Sequence, residues 1–144
     1  MVKPIPEGYN TVTPYLVVKS PETLIEFAKE VFDAKEHDIN KTPDGKITHA
    51  EIQIGDSKVM IGCECDQNKG MASMLYIYVK DVDSVYSKAL KAGAEKIQPV
   101  KDQFYGDRSG GVRDSNGIQW WIATHVEDVS KDEINKRMQT AIAK

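Results

Sequence analysis

His49-Ala50-Glu51 is the tripeptide of this 144-residue chain best suited to moving a proton. An imidazole and a carboxylate two residues apart on a strand point the same way. Such a pair serves as a general base, or offers two ligands to a metal ion. His125 is the next candidate, at the end of the run Trp120-Trp121-Ile122-Ala123-Thr124-His125. The stretch Asp102-Gln103-Phe104-Tyr105-Gly106-Asp107-Arg108-Ser109-Gly110-Gly111 concentrates an amide, a phenol, carboxylates, a guanidinium and three glycines. Two uses of it stand side by side. Tyr105 and Arg108, with Gln103 beside them, would close over a ligand and pair an anionic group. Alternatively, Asp107 and Arg108 would pin the loop while Tyr105 fills the core.

Several other matches carry little weight. Gly106-Asp107-Arg108-Ser109-Gly110-Gly111 is a serine-protease nucleophile loop with one residue inserted, but the chain is too short for that double barrel. His49-Ala50-Glu51 opens a zinc deaminase signature whose Pro-Cys-x-x-Cys is missing. Cys63 and Cys65 are the only cysteines, too few for a disulfide framework, and they are expected to be reduced and structural. Asn40-Lys41-Thr42 is a glycosylation sequon in form alone, and neither a P-loop nor a dinucleotide fingerprint is present.

Composition narrows the classes further. With 40% hydrophobic and 28% charged residues the chain has the make-up of a globular protein. Nineteen basic against 22 acidic residues give a formal charge of −3, so no long-range field draws it to nucleic acid. Nothing in the sequence is apolar for long enough to span a bilayer, and the first residues lack the apolar stretch of a secretory signal, so no membrane partner and a cytoplasmic location are expected.

The elements that must position the chemistry repeat. Thr11 to Val18 predicts a strand that ends at Ser20-Pro21-Glu22, a helix start with Ser20 as N-cap and Pro21 in the first turn. Leu24, Ile25, Ala28, Val31 and Phe32 then mark one helical face, which should stop near Asp33. Extended segments follow at Glu36 to Asn40, Lys46 to Ile54 and Lys58 to Cys63, separated by Thr42-Pro43-Asp44-Gly45 and Gly55-Asp56. The order recurs with Met74 to Val79, a helix capped by Asp81 and closed by Gly93, then strands at Lys96 to Val100, Ser109 to Arg113 and Ile118 to Thr124. Leu16-Val17-Val18 overlays Ile77-Tyr78-Val79 at an offset of about 61 residues. Two β-α-β-β-β modules, about 9–65 and 71–128, therefore make a domain over 1–128. Residues 129–144 form a C-terminal helix opened by the capping box Ser130-Lys131-Asp132-Glu133, whose stripe Ile134, Met138 and Ile142 would pack on the body or on a second subunit.

Strand alternation sorts the side chains by face. Leu16 and Val18, Ala50, Ile52 and Ile54, Leu75, Ile77 and Val79, and Trp120 and Ile122 make the helix-facing core set. That leaves Thr13, Tyr15 and Val17, then His49, Glu51 and Gln53, then Met74, Tyr76 and Tyr78, and Gln119, Trp121, Ala123 and His125 on the other face. Aromatic rings with a few polar groups among them suit orientation of a small organic ligand.

Paired β-α-β-β-β modules resemble the vicinal oxygen chelate superfamily, which includes glyoxalase I, bleomycin-resistance proteins, fosfomycin-resistance enzymes and extradiol dioxygenases. Thr13-Pro14-Tyr15-Leu16, His49-Ala50-Glu51, and the long block Asp102 to Gly111 followed by Trp120 to His125 are similar to its PhnB-like branch. The resemblance spans about residues 9–128. It implies an α+β fold in which an eight-stranded, mostly antiparallel sheet curls into a cup with helices outside. It also implies a small-molecule ligand in the cup and pairing as a homodimer. Metal-dependent members place His, Glu or Gln at four inward positions, and these carry over to Thr13, about Ile61, Met74 and Trp121. None is a usual ligand, so no cofactor is expected at the family's position.

The expected function is a small-molecule binding protein without the family metal. Tyr15, Tyr76, Tyr78 and Trp121 would stack on the ligand, with Gln53, Gln103, Tyr105, Arg108 and His125 as further contacts. The alternative is a lyase or isomerase, metal-free with His49 or Glu51 as general base, or metal-dependent with ligands displaced to His49, Glu51 and His125.

Overall fold

A computed structural model of the chain describes residues 2–66 and 69–142. The chain divides into two compact units. The first runs up to Ser73 and takes in the turn Asp114–Ile118, and the second holds Met74–Arg113 and the chain from Gln119 onward.

The first unit contains β1 (Tyr15–Val18), α1 (Pro21–Phe32), β2 (Lys35–Lys41), β3 (Ile47–Ile54) and β4 (Ser57–Cys63). Its four-stranded sheet has the order β1-β4-β3-β2, with β1 parallel to β4 and the other pairs antiparallel. Ser20 caps α1 as its spelling predicts, its Oγ accepting from the Thr23 N–H at 3.3 Å. The helix ends where expected, because Asp33 turns left-handed at φ 55° and breaks the ladder. Its face of Leu24, Ile25, Ala28 and Val31 is buried together with Leu16, Val18, Ala50, Ile52, Val59 and Ile61. Asn116 ties the Asp114–Ile118 turn to this unit, its amide donating to the Ser20 carbonyl and its Oδ1 accepting from the Ser20 N–H, both at 3.0 Å.

The second unit repeats the plan with β5 (Met74–Tyr78), α2 (Val82–Lys91), β6 (Glu95–Asp102), β7 (Asp107–Arg113) and β8 (Gln119–His125), followed by α3 (Lys131–Ile142). Its sheet order is β5-β8-β7-β6, again with one parallel pair, β5 with β8. Asp81 caps α2 by accepting from the Ser84 N–H at 3.2 Å, and Gly93 follows the helix at φ 100°. Val82, Tyr86 and Ala89 of α2 are buried, as are Val112, Trp120 and Ile122 of the sheet. All eight expected strands form, in two four-stranded sheets.

Three strands differ most from the sequence expectations. β1 starts at Tyr15 rather than Thr11, since Pro14 has no N–H to give to a ladder and only its carbonyl pairs, accepting from Met60. β6 runs on through Pro99 to Asp102, which an edge strand with a shifted register tolerates. β7 begins at Asp107, drawing part of the expected loop into the sheet. On α3 Met138 is exposed and the Ile142 side chain lies outside the described residues, while Arg137 grips Glu127 through two nitrogens at 2.9 and 3.0 Å and reaches the Phe104 carbonyl at 3.1 Å.

Candidate functional site

Each sheet carries its chemistry on the face turned away from its helix. On the first unit, Tyr15, Met60 and Glu51 sit side by side across β1, β4 and β3, with His49 opposite Gly62 one step along. The Glu51 carboxylate meets His49 Nε2 at 3.1 Å, and the Tyr15 hydroxyl meets His49 Nδ1 at 3.2 Å. An ionised carboxylate can only accept, so the neutral tautomer that this network assigns to His49 carries its proton on Nε2 and accepts from the phenol at Nδ1. Gly62 makes this reach feasible. A Cβ there would stand 2.8 Å from the Tyr15 oxygen and 2.9 Å from its ring. Gln53 takes no part in the chain, since it receives the Lys58 ammonium at 2.6 Å and donates to the Gly55 carbonyl at 2.9 Å. Val17 shares the face but is only 6% exposed, covered beside Gly70 and Met71.

On the second unit the contacts converge. Asp107, 4% exposed, accepts from the Tyr76 hydroxyl at 2.7 Å, the Tyr78 hydroxyl at 2.9 Å and His125 Nδ1 at 2.9 Å. Burial pushes the Asp107 pKa up, but the bonds from His125, Tyr76 and Tyr78 outweigh it and hold the group below the usual carboxylate range. The partners move the other way. Burial, then the hydrogen bond to Asp107, raises Tyr76, and for Tyr78 the Asp107 bond leads. His125 is raised by Asp107 and then by Asp128, whose carboxylate lies 2.8 Å from Nε2. Trp121 lies on Gly111, where a Cβ would come within 2.8 Å of its ring, and its N–H donates to Gln119 at 3.1 Å.

Asp107 is the member of this cluster that sequence reading missed as a face residue. The signal was parity: a strand extended two residues back from Ser109 puts Asp107 on the same side as Gly111, opposite His125. The same parity bears on Arg108, for which a place over a ligand and a role in pinning the loop were both expected, and its contacts accord with pinning. It points to the helix side, where its guanidinium pairs with Asp83 of α2 at 3.0 Å through two nitrogens and with Asp102 at 3.2 Å. Tyr105 does not fill the core either; it is 37% exposed and meets Phe104 edge to face. Gln103 sits in the turn before β7, its backbone N–H bonded to the Asp107 carbonyl at 2.7 Å.

Residues 8–122 match the family described as the Glyoxalase/Bleomycin resistance protein/Dioxygenase superfamily. The chain belongs to this superfamily. It is 34% identical over 140 residues to the uncharacterized protein Mb0911c of Mycobacterium bovis, covering 90% of this chain and 92% of that one. Among solved structures it resembles TioX from Micromonospora sp. ML1, with a TM-score of 0.69 at 24% identity, over 81% of this chain and 99% of TioX. It also resembles a PhnB protein from Bacillus cereus, with a TM-score of 0.67 at 18% identity, over 80% and 99% of the two chains. These similarities fix the fold as that of the superfamily, α+β with PhnB-like neighbours.

The metal that the superfamily implies does not fit the residues at the corresponding positions. The carry-over to Ile61 needs correction, because Ile61 is fully buried in the helix-side core and pairs with Ala50. The face positions on β4 are Met60 and Gly62, one a soft thioether and the other without a side chain. Met74 is likewise a thioether, and the Trp121 N–H is a donor already spent on Gln119. The displaced set of His49, Glu51 and His125 is not brought together: among the described residues, no three His, Cys, Asp or Glu side chains are grouped to hold a metal ion. Both ring nitrogens of His125 face carboxylates, which favours the imidazolium, a form with no lone pair for a metal. Among the described residues, no helix is long and apolar enough to cross a membrane.

Proposed function

We propose that this superfamily member binds a small, planar, partly polar organic molecule, without the superfamily metal, on the helix-free face of its second unit. One observation carries the reading. Tyr76 and Tyr78 remain 40% and 61% exposed while their hydroxyls are held by a carboxylate that is itself buried. Aromatic surface that is exposed yet fixed in orientation has already lost the rotamer freedom that binding would otherwise cost. Trp121 extends that surface, seated against Gly111, and ring stacking contributes about 0.5–1.5 kcal/mol per pair beyond area burial. The superfamily resemblance further supports the proposal that the protein pairs as a homodimer.

The experiment is a screen of small aromatic and anionic compounds by thermal shift, with hits titrated against tryptophan fluorescence. A ligand at 100 times its Kd stabilises by about 2.7 kcal/mol. Trp120 is buried, so quenching that disappears in Trp121→Phe belongs to the face. Trp121→Ala is expected to weaken binding about tenfold, the equivalent of roughly 1.4 kcal/mol. Unchanged affinity for every hit would sink the reading.

The first unit favours a second reading, a lyase or isomerase that abstracts a proton beside a carbonyl without a metal. The observation behind it is the bond between Glu51 and His49, which fixes one tautomer of the imidazole. Stoichiometric zinc, nickel or iron in protein purified without added metal, lost in His49→Ala, would replace it with the metal-dependent form.

A further inference from the structure

We infer that Tyr15 is the reactive end of the first unit's hydrogen-bonded chain, a nucleophile toward electrophilic acyl carbon, with His49 as its base and Glu51 as the group that orients the base. The inference rests on the Glu51–His49 pair of the second reading, but it moves the reacting atom from the imidazole to the phenol oxygen.

The order of the chain follows from donor chemistry. In the neutral imidazole, Nε2–H of His49 donates to the Glu51 carboxylate at 3.1 Å, which leaves the Nδ1 lone pair toward the Tyr15 hydroxyl at 3.2 Å. The phenol therefore points its proton inward and leaves its remaining oxygen lone pair for a reactant. A nucleophile within hydrogen-bond reach of a base that a third group holds in place is the general form of an activated hydroxyl. Tyr15 is 48% exposed, so a small electrophile reaches it. Gly62 is the independent sign that this placement is built. Its backbone is not in the left-handed region, so its conformation does not call for glycine, and a glycine weakens a strand interior. What it supplies is space, since a Cβ there would stand 2.8 Å from the Tyr15 oxygen and 2.9 Å from the ring edge, and the phenol would have to move off His49 to admit it. The glycine lets the phenol lie down across β4 to reach His49.

The probe is 4-nitrophenyl acetate. The Tyr15 oxygen attacks the carbonyl carbon as its proton passes to His49 Nδ1, giving an imidazolium held by Glu51. The acyl carbon–oxygen bond to the aryl group then breaks, and 4-nitrophenolate departs with the electron pair. The imidazolium returns its proton to water, and the acetyl group stays on Tyr15. No other reactant is consumed.

Peptide mapping by mass spectrometry is expected to find the acetyl group on Tyr15, with one equivalent of 4-nitrophenolate released. Tyr15→Phe should abolish the release, and His49→Gln should slow it about 100-fold, the usual scale of general-base assistance. Glu51→Gln should slow it about tenfold. Gly62→Ala keeps all three groups and should slow it as well, by lifting the phenol from the imidazole. Circular dichroism on each variant separates lost reactivity from lost folding, and Tyr15→Phe, at a half-exposed position, keeps the assay decisive if the glycine variant unfolds. If Tyr15→Phe still releases nitrophenolate while His49→Gln does not, the imidazole is the reacting group: the second reading survives and this inference fails. Acetylation confined to lysines, at a rate indifferent to His49→Gln, overturns the inference as well.

Discussion

Tyr15 and Tyr76 occupy corresponding places in two copies of one plan, yet their hydroxyls meet opposite partners. Tyr15 stands beside Met60 on β4 and Tyr76 beside Trp121 on β8. Across those neighbours the first unit has Glu51 and the second has Gly111; one step along, the first has His49 and the second Ser109. The first unit thus fills the middle of its face with an acid–base pair, while the second clears that space for an indole ring. Its ionisable groups gather instead at the strand ends, around Asp107. The partner decides what a phenol can do. An imidazole lone pair accepts a hydrogen bond from Tyr15, whereas the Asp107 carboxylate holds the protons of Tyr76 and Tyr78 in place, and burial first for Tyr76 and the Asp107 bond first for Tyr78 raise their pKa values. One face is arranged for transfer and the other for rigidity.

That contrast predicts unequal costs for removing the two carboxylates. Asp107→Ala leaves three donors without their acceptor at a buried position and should destabilise the protein by about 3 kcal/mol, since bonds to a charged group count roughly 1.5–3 kcal/mol each and part of the loss is recovered by water. Glu51→Ala removes a single bond from a half-buried pair and should cost about 1 kcal/mol or less. Urea denaturation of both variants measures the difference. Equal losses would mean that the second cluster is no more a structural clamp than the first.

Much of this contrast was legible in the sequence, in proportion to how local the signals are. Ser20-Pro21-Glu22 and Asp81 fix helix starts through bonds within one turn, and both caps form as expected. The repeat and the faces followed from periodicity, so His49, Glu51, Tyr76, Trp121 and Ile122 lie on the sides assigned to them. Asp107 and Arg108 were given no face because Tyr105-Gly106 reads as a loop, and moving one strand boundary reverses both faces. The space at Gly62 and Gly111 was hidden for another reason. Which ring lies on a glycine depends on cross-strand register, and no local spacing in the sequence records it.

A smaller effect tests the ionic part of the clamp. His125 has a raised pKa in the folded protein, so its contribution is complete below the unfolded value of about 6.5 and is lost as pH rises through the folded value. Asp107 has a lowered pKa, so its contribution holds above about 3.9 and is lost as pH falls through the folded value. Stability should therefore decline as pH rises above about 6.5, and His125→Gln should flatten that decline. A variant as steep as the wild type would assign the slope to other groups and reduce the clamp to its neutral hydrogen bonds.

The smallest effect belongs to the residue next to Asp107. Arg108 follows it in β7, and alternation sends its guanidinium to α2, where it joins Asp83 and Asp102 at the surface. An exposed ion pair weakens as salt screens it. Arg108→Ala should therefore lower Tm slightly in dilute buffer, less at high salt, and leave ligand quenching of Trp121 unchanged for anionic and neutral compounds alike. If anionic hits alone lose affinity, the guanidinium reaches the ligand, and the two sides of β7 are not as separate as their contacts make them. If nothing but the salt-dependent Tm moves, adjacent residues of opposite charge serve opposite faces, Asp107 holding the aromatic surface and Arg108 fastening the helix behind it.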